Sequence, residues 1–279
     1  MSKKFSRILT GILTYSFLIV VSIYMILPFF WMLSSSLKPE NEIFSIPPIL
    51  VSKNMTLDSY RAVIVDRNIF RIVLNTFIVA ISATMLRVFF CSLAGMGFSK
   101  YNFFGKGVLF AILLGTMIVP FTVTLVPLYV LMTRFKWIDT FMPLIIPGAA
   151  SAFGIFFMRQ YISTINDELL DAARMDGANE FSIYWKIIVP IVAPGMTSLG
   201  LIFFMQVWND YLWPSVILKS TENFTLPMAI TSMIQTMIGR PIYGQQMAAA
   251  VISIVPLLII FLVFQRRFVE GITAGAIKG

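Results

Sequence analysis

The sequence predicts an all-α membrane protein with six membrane-crossing helices, and three observations predict it. Of its 279 residues, 58% are hydrophobic and only 12% charged, whereas a soluble domain carries about a quarter charged. The charges are spaced so that they leave apolar intervals long enough for a crossing, which takes roughly 20 helical residues for about 30 Å of hydrocarbon. The basic residues, part of a net charge of +8, mark one set of connections as cytoplasmic.

The elements follow in order. Residues 1–9 carry Lys3, Lys4 and Arg7 without an acid and belong on the cytoplasmic side. The first span, 10–33, lies within 30 uncharged residues between Arg7 and Lys38. It is longer than a signal-peptide core of about 7 to 15 residues and lacks a small-x-small exit, so it stays as an anchor. Residues 34–70 form an external loop in which Lys38, Lys53, Arg61 and Arg67 are balanced by Glu40, Glu42, Asp58 and Asp66. The second span, 71–94, is interrupted by Arg87, whose stem lifts its guanidinium toward the headgroups or reaches a partner within the bundle. Substrate contact is not assigned to Arg87. Lys100 and Lys106 mark the next connection as cytoplasmic.

The third span, 107–131, lies within the 27 uncharged residues between Lys106 and Arg134 and holds Pro120 and Pro127, each of which removes one helical hydrogen bond. The fourth, 139–160, is built on the 19 uncharged residues between Asp139 and Arg159, and the fifth, 191–217, on the run of 23 uncharged residues between Lys186 and Asp210, which it overlaps. Residues 219–243, polar and with a proline, form a second external loop. The sixth span, 244–265, sits in 25 uncharged residues before a tail, 266–279, with Arg266, Arg267 and Lys278. Both termini are thus cytoplasmic and the protein is multi-pass in the plasma membrane.

Counting excludes many functions. There is no histidine and a single cysteine, Cys91, which removes a histidine-based triad, a His/Cys zinc site and a disulfide framework. No Gly-x-x-x-x-Gly-Lys-Ser/Thr occurs, and Gly105-Lys106-Gly107 lacks the hydroxyl that meets magnesium. No catalytic residue, metal ligand or bound cofactor is therefore assigned. No basic run supports nucleic-acid binding.

The most informative stretch is the cytoplasmic segment 163–190. Between Asn166 and Phe181 it holds five of the thirteen acids. Leu169, Leu170, Ala173 and Trp185 add apolar surface, Gly177 can end a first helix in the left-handed conformation and Asn179 can cap a second. The pattern is a short helix-turn-helix on the membrane surface. Its polar face is acidic, whereas helices that lie on lipid are usually basic there, so a protein groove suits it better. A solvated acidic loop is the alternative reading.

Asp171-Ala172-Ala173-Arg174-Met175-Asp176-Gly177-Ala178, followed by Pro190, resembles the Glu-Ala-Ala motif of permease subunits in binding-protein-dependent ABC importers. Asp171 stands where that motif has Glu, and Val189 where it has Leu. Further similarities lie in Asn75-Thr76, Ile118-Val119-Pro120-Phe121, Val126-Pro127-Leu128-Tyr129, Ala152-Phe153-Gly154-Ile155-Phe156, the run Trp208 to Pro214 and the run Gly271 to Gly279. Together these resemble the smaller six-span subunit of the maltose-type carbohydrate permeases. The resemblance implies the type I ABC importer permease fold, with a coupling helix docked on the ATP-hydrolysing subunit through Asp171, Ala172, Ala173, Arg174, Asp176 and Gly177. It also implies a second homologous permease subunit, two ATP-binding cassette subunits that carry the Mg-ATP, an external sugar-binding protein and a sugar substrate. Gln235, Thr236, Arg240 and Tyr243 resemble a region directed toward the binding protein, and the tail from Gly271 to Gly279 one that approaches the ATPases.

In the fifth span Phe203, Gln206, Asp210 and Trp213 recur at spacings of three and four, with Asn209 one step aside. Carboxamides and carboxylates replace water at sugar hydroxyls, and aromatic faces cover the ring, so Gln206, Asn209, Asp210 and Trp213 are the candidate substrate path. Alternatively Asn209 and Asp210 bond a neighbouring helix and Trp213 anchors at the interface. Among functions, an ion-coupled secondary transporter using Asp210 and Arg87 is the main competitor, an ABC permease for a glycerol phosphate ester a second, and an intramembrane hydrolase the weakest.

Overall fold

The computed structural model describes residues 3–233 and 242–276, with side chains for 10–233 and 242–265. The chain forms two compact units, one of Met1–Ile69 with Ile230–Val255 and the other of Phe70–Ala229 with Pro256–Gly279. Among the described residues every regular element is helical.

The first unit begins with α1, Lys3–Ser36. From Thr10 on it is long and apolar enough to cross a membrane, and large side chains between Ile12 and Phe30, such as Leu13, Phe17 and Tyr24, are exposed, whereas Ser35 and Ser36 in its last turn are buried. After it, α2 (Glu40–Ile43) and α3 (Asp58–Arg61), which runs into a π turn at Ala62–Asp66, give regular structure to parts of the stretch expected as loop. The buried Lys38 lies 4.2 Å from the Trp31 ring centre and donates to the Ile49 carbonyl at 2.5 Å. The Glu40 carboxylate accepts from the Tyr243 and Gly244 amides at 2.7 and 3.0 Å, supplying an anion to the open N–H groups at a helix start.

In the second unit α4 (Ile69–Lys100) is a single rod. The expected third span is not. α5 (Lys106–Thr116) and α6 (Phe121–Arg134) meet at 97°. Pro120 has no N–H to continue a helix and pushes Val119 away from helical angles, whereas Pro127 is accommodated inside α6. The expected fourth span is likewise divided, into α7 (Met142–Ile145) and α8 (Ala152–Ile162). Pro147 and Gly148 fall in the interruption, and the Ser151 hydroxyl caps α8 by accepting from the Gly154 amide. Four helices are long and apolar enough to cross a membrane, or five if the bent pair counts as one, among the described residues. Six were expected, and 139–160 accounts for the difference because its apolar content continues through a backbone break.

Downstream come α9 (Asp167–Met175), α10 (Glu180–Ile183), a π turn at Tyr184–Ile188 and α11 (Val189–Trp208). α12 (Leu212–Ile217) and α13 (Leu226–Ser232) follow. α14, Tyr243–Ala276, closes the described chain. Asp139 fastens the turn beyond α12, accepting from the Lys219 and Ser220 amides at 2.9 and 3.0 Å. Gln235, Thr236, Arg240 and the last three residues, assigned above to contacts with partners, lie outside the described residues.

One buried cluster positions the candidate site. Met96 of α4, Met158 and Ile162 of α8, and Val192, Leu199 and Phe203 of α11 pack with Leu170 of α9 and Ile183 of α10. The short surface helices are thus pinned to the same apolar core as the long rods.

Candidate functional site: the coupling segment and an inner cavity

Local chemistry explains the shape of residues 166–188. The Asn166 carboxamide caps α9 by accepting from the Glu168 amide at 3.1 Å, and Asp167 and Glu168 lie in the first turn, where a helix favours negative charge. At the other end Gly177 is left-handed, with φ 81°. The Ala178 amide reaches the Ala173 carbonyl and the Gly177 amide the Arg174 carbonyl, both at 3.0 Å. This pair of bonds is a Schellman closure, and Ala173 and Ala178, which form its usual apolar contact, both rest on the buried cluster. The Asn179 carboxamide then caps α10 through the Ser182 amide at 2.8 Å.

Charge pairs hold the two helices in one geometry. Arg174 donates to Asp171 at 2.8 Å from Nη1 and to Glu180 at 2.9 Å from Nε. These two carboxylates, Glu180 first, hold the guanidinium more firmly protonated than an ordinary arginine. Tyr101, just past α4, donates to Glu180, and its phenol is pushed up to about 12 by burial and then by that carboxylate. The Lys100 ammonium, itself buried, bonds the Asp167 carboxylate at 2.6 Å and the Ile165 carbonyl at 2.5 Å. The lysine holds Asp167 below the usual carboxylate range. A shift of the segment therefore pulls on the end of α4 as well as on α11.

Beside these acids, three large apolar side chains remain outside. Leu169 is 46% exposed, Met175 88% and Phe181 70%, and Ala172 lies between the first two at helical spacing on the outer side of α9. Arg174 faces inward to its two acids, Ala173 serves the closure, and Asp176 is exposed.

At the far end of α11 a cavity of about 680 Å³ opens within the second unit, lined in part by Thr76, Arg87, Gly148, Gln206, Asp210 and Trp213. Gln206, Asp210 and Trp213, expected to share a face, do line one space. They do not lie on one continuous helix, because α11 ends at Trp208 and α12 begins at Leu212. Asn209 is the exception. It occupies the C-cap of α11 and turns its carboxamide back to the Met205 carbonyl at 2.8 Å, and it is not among the lining residues. Trp213 is buried and donates from its ring to the Pro143 carbonyl at 2.9 Å, so it offers the cavity an apolar wall with its polar atom already used. Phe203, also buried, belongs to the core cluster. Arg87 is the lining residue that sequence reasoning left aside. Its neighbours in space come from 60 and more residues downstream, so no local spacing announces them.

Among the described residues the fold is all-helical, with helices apolar enough to cross a membrane and a charge-latched elbow between them, which defines a helical membrane protein. A family model described as binding-protein-dependent transport system inner membrane component matches residues 88–274, and the chain belongs to that family. It is 34% identical over 266 residues to the arabinooligosaccharides transport system permease protein AraQ of Bacillus subtilis, covering 94% of each chain. It is 30% identical over 272 residues to the lactose transport system permease protein LacG of Rhizobium radiobacter, covering 98% of each. Among solved structures it superposes on a chain of a bacterial ABC transporter involved in the import of the acidic polysaccharide alginate, with a TM-score of 0.83 and 23% identity over 96% of this chain and 99% of that one. The protein is thus a membrane-embedded permease subunit that works with other components of a binding-protein-dependent ABC transporter.

Proposed function

We propose that this chain is one of two homologous permease subunits of an ABC importer that moves a saccharide into the cytoplasm. An external binding protein delivers the sugar, and two ATP-binding cassette subunits, which carry the Mg-ATP, supply the power. The termini lie on the cytoplasmic side of the plasma membrane, together with the segment 166–188. The observation that carries this reading is the apolar strip of Leu169, Met175 and Phe181 on an otherwise acidic, internally latched elbow. Such a strip suits a groove on a protein partner, and the residues behind it pass a push to α4, α8 and α11 as a rigid-body movement. Relatives named for arabinooligosaccharides and lactose favour a neutral saccharide as cargo. Gln206, Asp210 and Trp213 line this chain's part of the path.

The test is uptake by the assembled transporter together with affinity purification of this chain. A Walker-motif ATPase should be recovered with it, and Phe181→Arg should lower that recovery by about tenfold, as expected when a phenylalanine loses a buried seat. Uptake should stop on ATP depletion and survive dissipation of ion gradients. Transport by the chain alone, or uptake that collapses with the gradient while ATP is intact, would defeat the proposal in favour of a secondary transporter.

A further inference from the structure

Arg87 and Asp210 line the same cavity, yet they form no ion pair with each other or with another described residue. The Nε–H of Arg87 is buried without a hydrogen-bond partner, and its guanidinium lies 5.7 Å from the centre of the Phe203 ring. The guanidinium lies against Gly148, where an added Cβ would come within 2.9 Å of Cζ. Asp210 accepts from the Trp213 amide at a long 3.4 Å. Thr225, 3% exposed on the same wall, has a buried hydroxyl with no partner. Inside a membrane protein an unpaired charge is costly, and it persists where water or a ligand meets it.

We infer that this cavity is a saccharide subsite in which Arg87 donates to a ring or hydroxyl oxygen while Asp210 accepts from a neighbouring hydroxyl of the same sugar, so that cargo without net charge is preferred over uronates. The inference rests on the reading of the chain as a sugar permease. A vicinal diol offers donor and acceptor a few ångströms apart and brings no charge. A uronate gains at Arg87 and is repelled at Asp210, a penalty that low dielectric magnifies. The volume falls within the range of small-molecule sites, about 300–1,000 Å³.

The test uses the complete transporter with its binding protein saturated, and compares uptake of a neutral arabino-oligosaccharide with that of an oligogalacturonate of equal length. Wild type should carry the neutral probe faster. Arg87→Gln should slow it about tenfold, the loss expected for one charge-assisted hydrogen bond. Gly148→Ala is the second variant, since its methyl group meets the flexible end of Arg87 and so displaces the guanidinium without disturbing backbone; it should slow the neutral probe in the same direction. Asp210→Asn should narrow or reverse the preference by admitting the uronate. Neutral uptake unchanged in both Arg87→Gln and Gly148→Ala, or a preference unmoved by Asp210→Asn, overturns the inference while leaving the sugar permease intact. Uptake of neither probe by wild type overturns both.

Discussion

The two ends of α11 treat charge in opposite ways. Near its start, in the elbow 166–188, Arg174 is shared by Asp171 and Glu180, and Asp167 is held by Lys100. Near its end, Arg87 and Asp210 share a cavity and leave their pairing capacity open. A part that transmits force gains from being closed on itself, because slack between α9 and α10 would absorb the push. A part that handles cargo gains from open valences, because groups already satisfied by protein have nothing left for a passing hydroxyl. The same residue types are thus paired at one end and left without an ion pair among the described residues at the other.

The largest expected break in this contrast comes from Gly177→Val. A left-handed backbone costs an ordinary residue about 1–2 kcal/mol and a β-branched one more, and the Schellman closure that presents the apolar strip would open. Uptake should fall about tenfold or more, with less ATPase subunit recovered on purification, while α4 and α11 stay folded by circular dichroism. Retained coupling would mean that the closure is dispensable.

Next in size, Gln206→Ala should slow uptake severalfold, whereas Asn209→Ala should leave it nearly unchanged, because the first side chain lines the cavity and the second is spent on the Met205 carbonyl. Equal losses at both positions would dissolve the distinction between lining and capping. Arg174→Ala tests the latch itself. Its pairs are partly exposed, so each contributes about 1 kcal/mol at most, and a double-mutant cycle with Glu180→Gln should give a coupling energy of that order in thermal unfolding of the detergent-solubilised complex. Zero coupling would make the pair ornamental.

The smallest effect concerns pH. Lys100 lowers the Asp167 carboxyl, so the bridge stabilises the fold above the unfolded value of about 3.9 and is lost as pH falls through the lower folded value. Since Asp167 faces solvent, the change should be slight. The melting temperature of wild type should decline a little more than that of Asp167→Asn as pH is taken from about 5 to about 3. Parallel declines would show that the bridge adds nothing.

The legible parts of this molecule were those whose causes are local in sequence. Ala173, Gly177, Ala178 and Asn179 build a turn out of bonds between near neighbours, and the pattern of small residue, glycine and cap announces it. Asp210 was visible as a carboxylate closing an apolar run. Asn209, one step aside from the shared face in the sequence, caps α11 through the Met205 carbonyl and does not line the cavity, because the helix ends at Trp208. The interruption in 139–160 is hidden because Pro147 and Gly148 break the backbone without breaking hydrophobicity. Arg87 could not be assigned from its own helix: its seat is Gly148, and its companion Asp210 lies further still along the chain.

The elbow between α5 and α6 has a consequence for assembly. A right-angled turn ends one ladder of amides and begins another, so α6 starts without a preceding turn of helix: the Val123 amide reaches the Pro120 carbonyl at 3.1 Å, and the N–H groups of Phe121 and Thr122 lie ahead of that first bond. Hydrocarbon offers them nothing, while Met117, Ile118, Val119 and Phe121 project outward around the corner. A neighbouring protein surface or a wetted vestibule must therefore cover that corner wherever it sits at bilayer depth, and the chain on its own in lipid is an unfinished object.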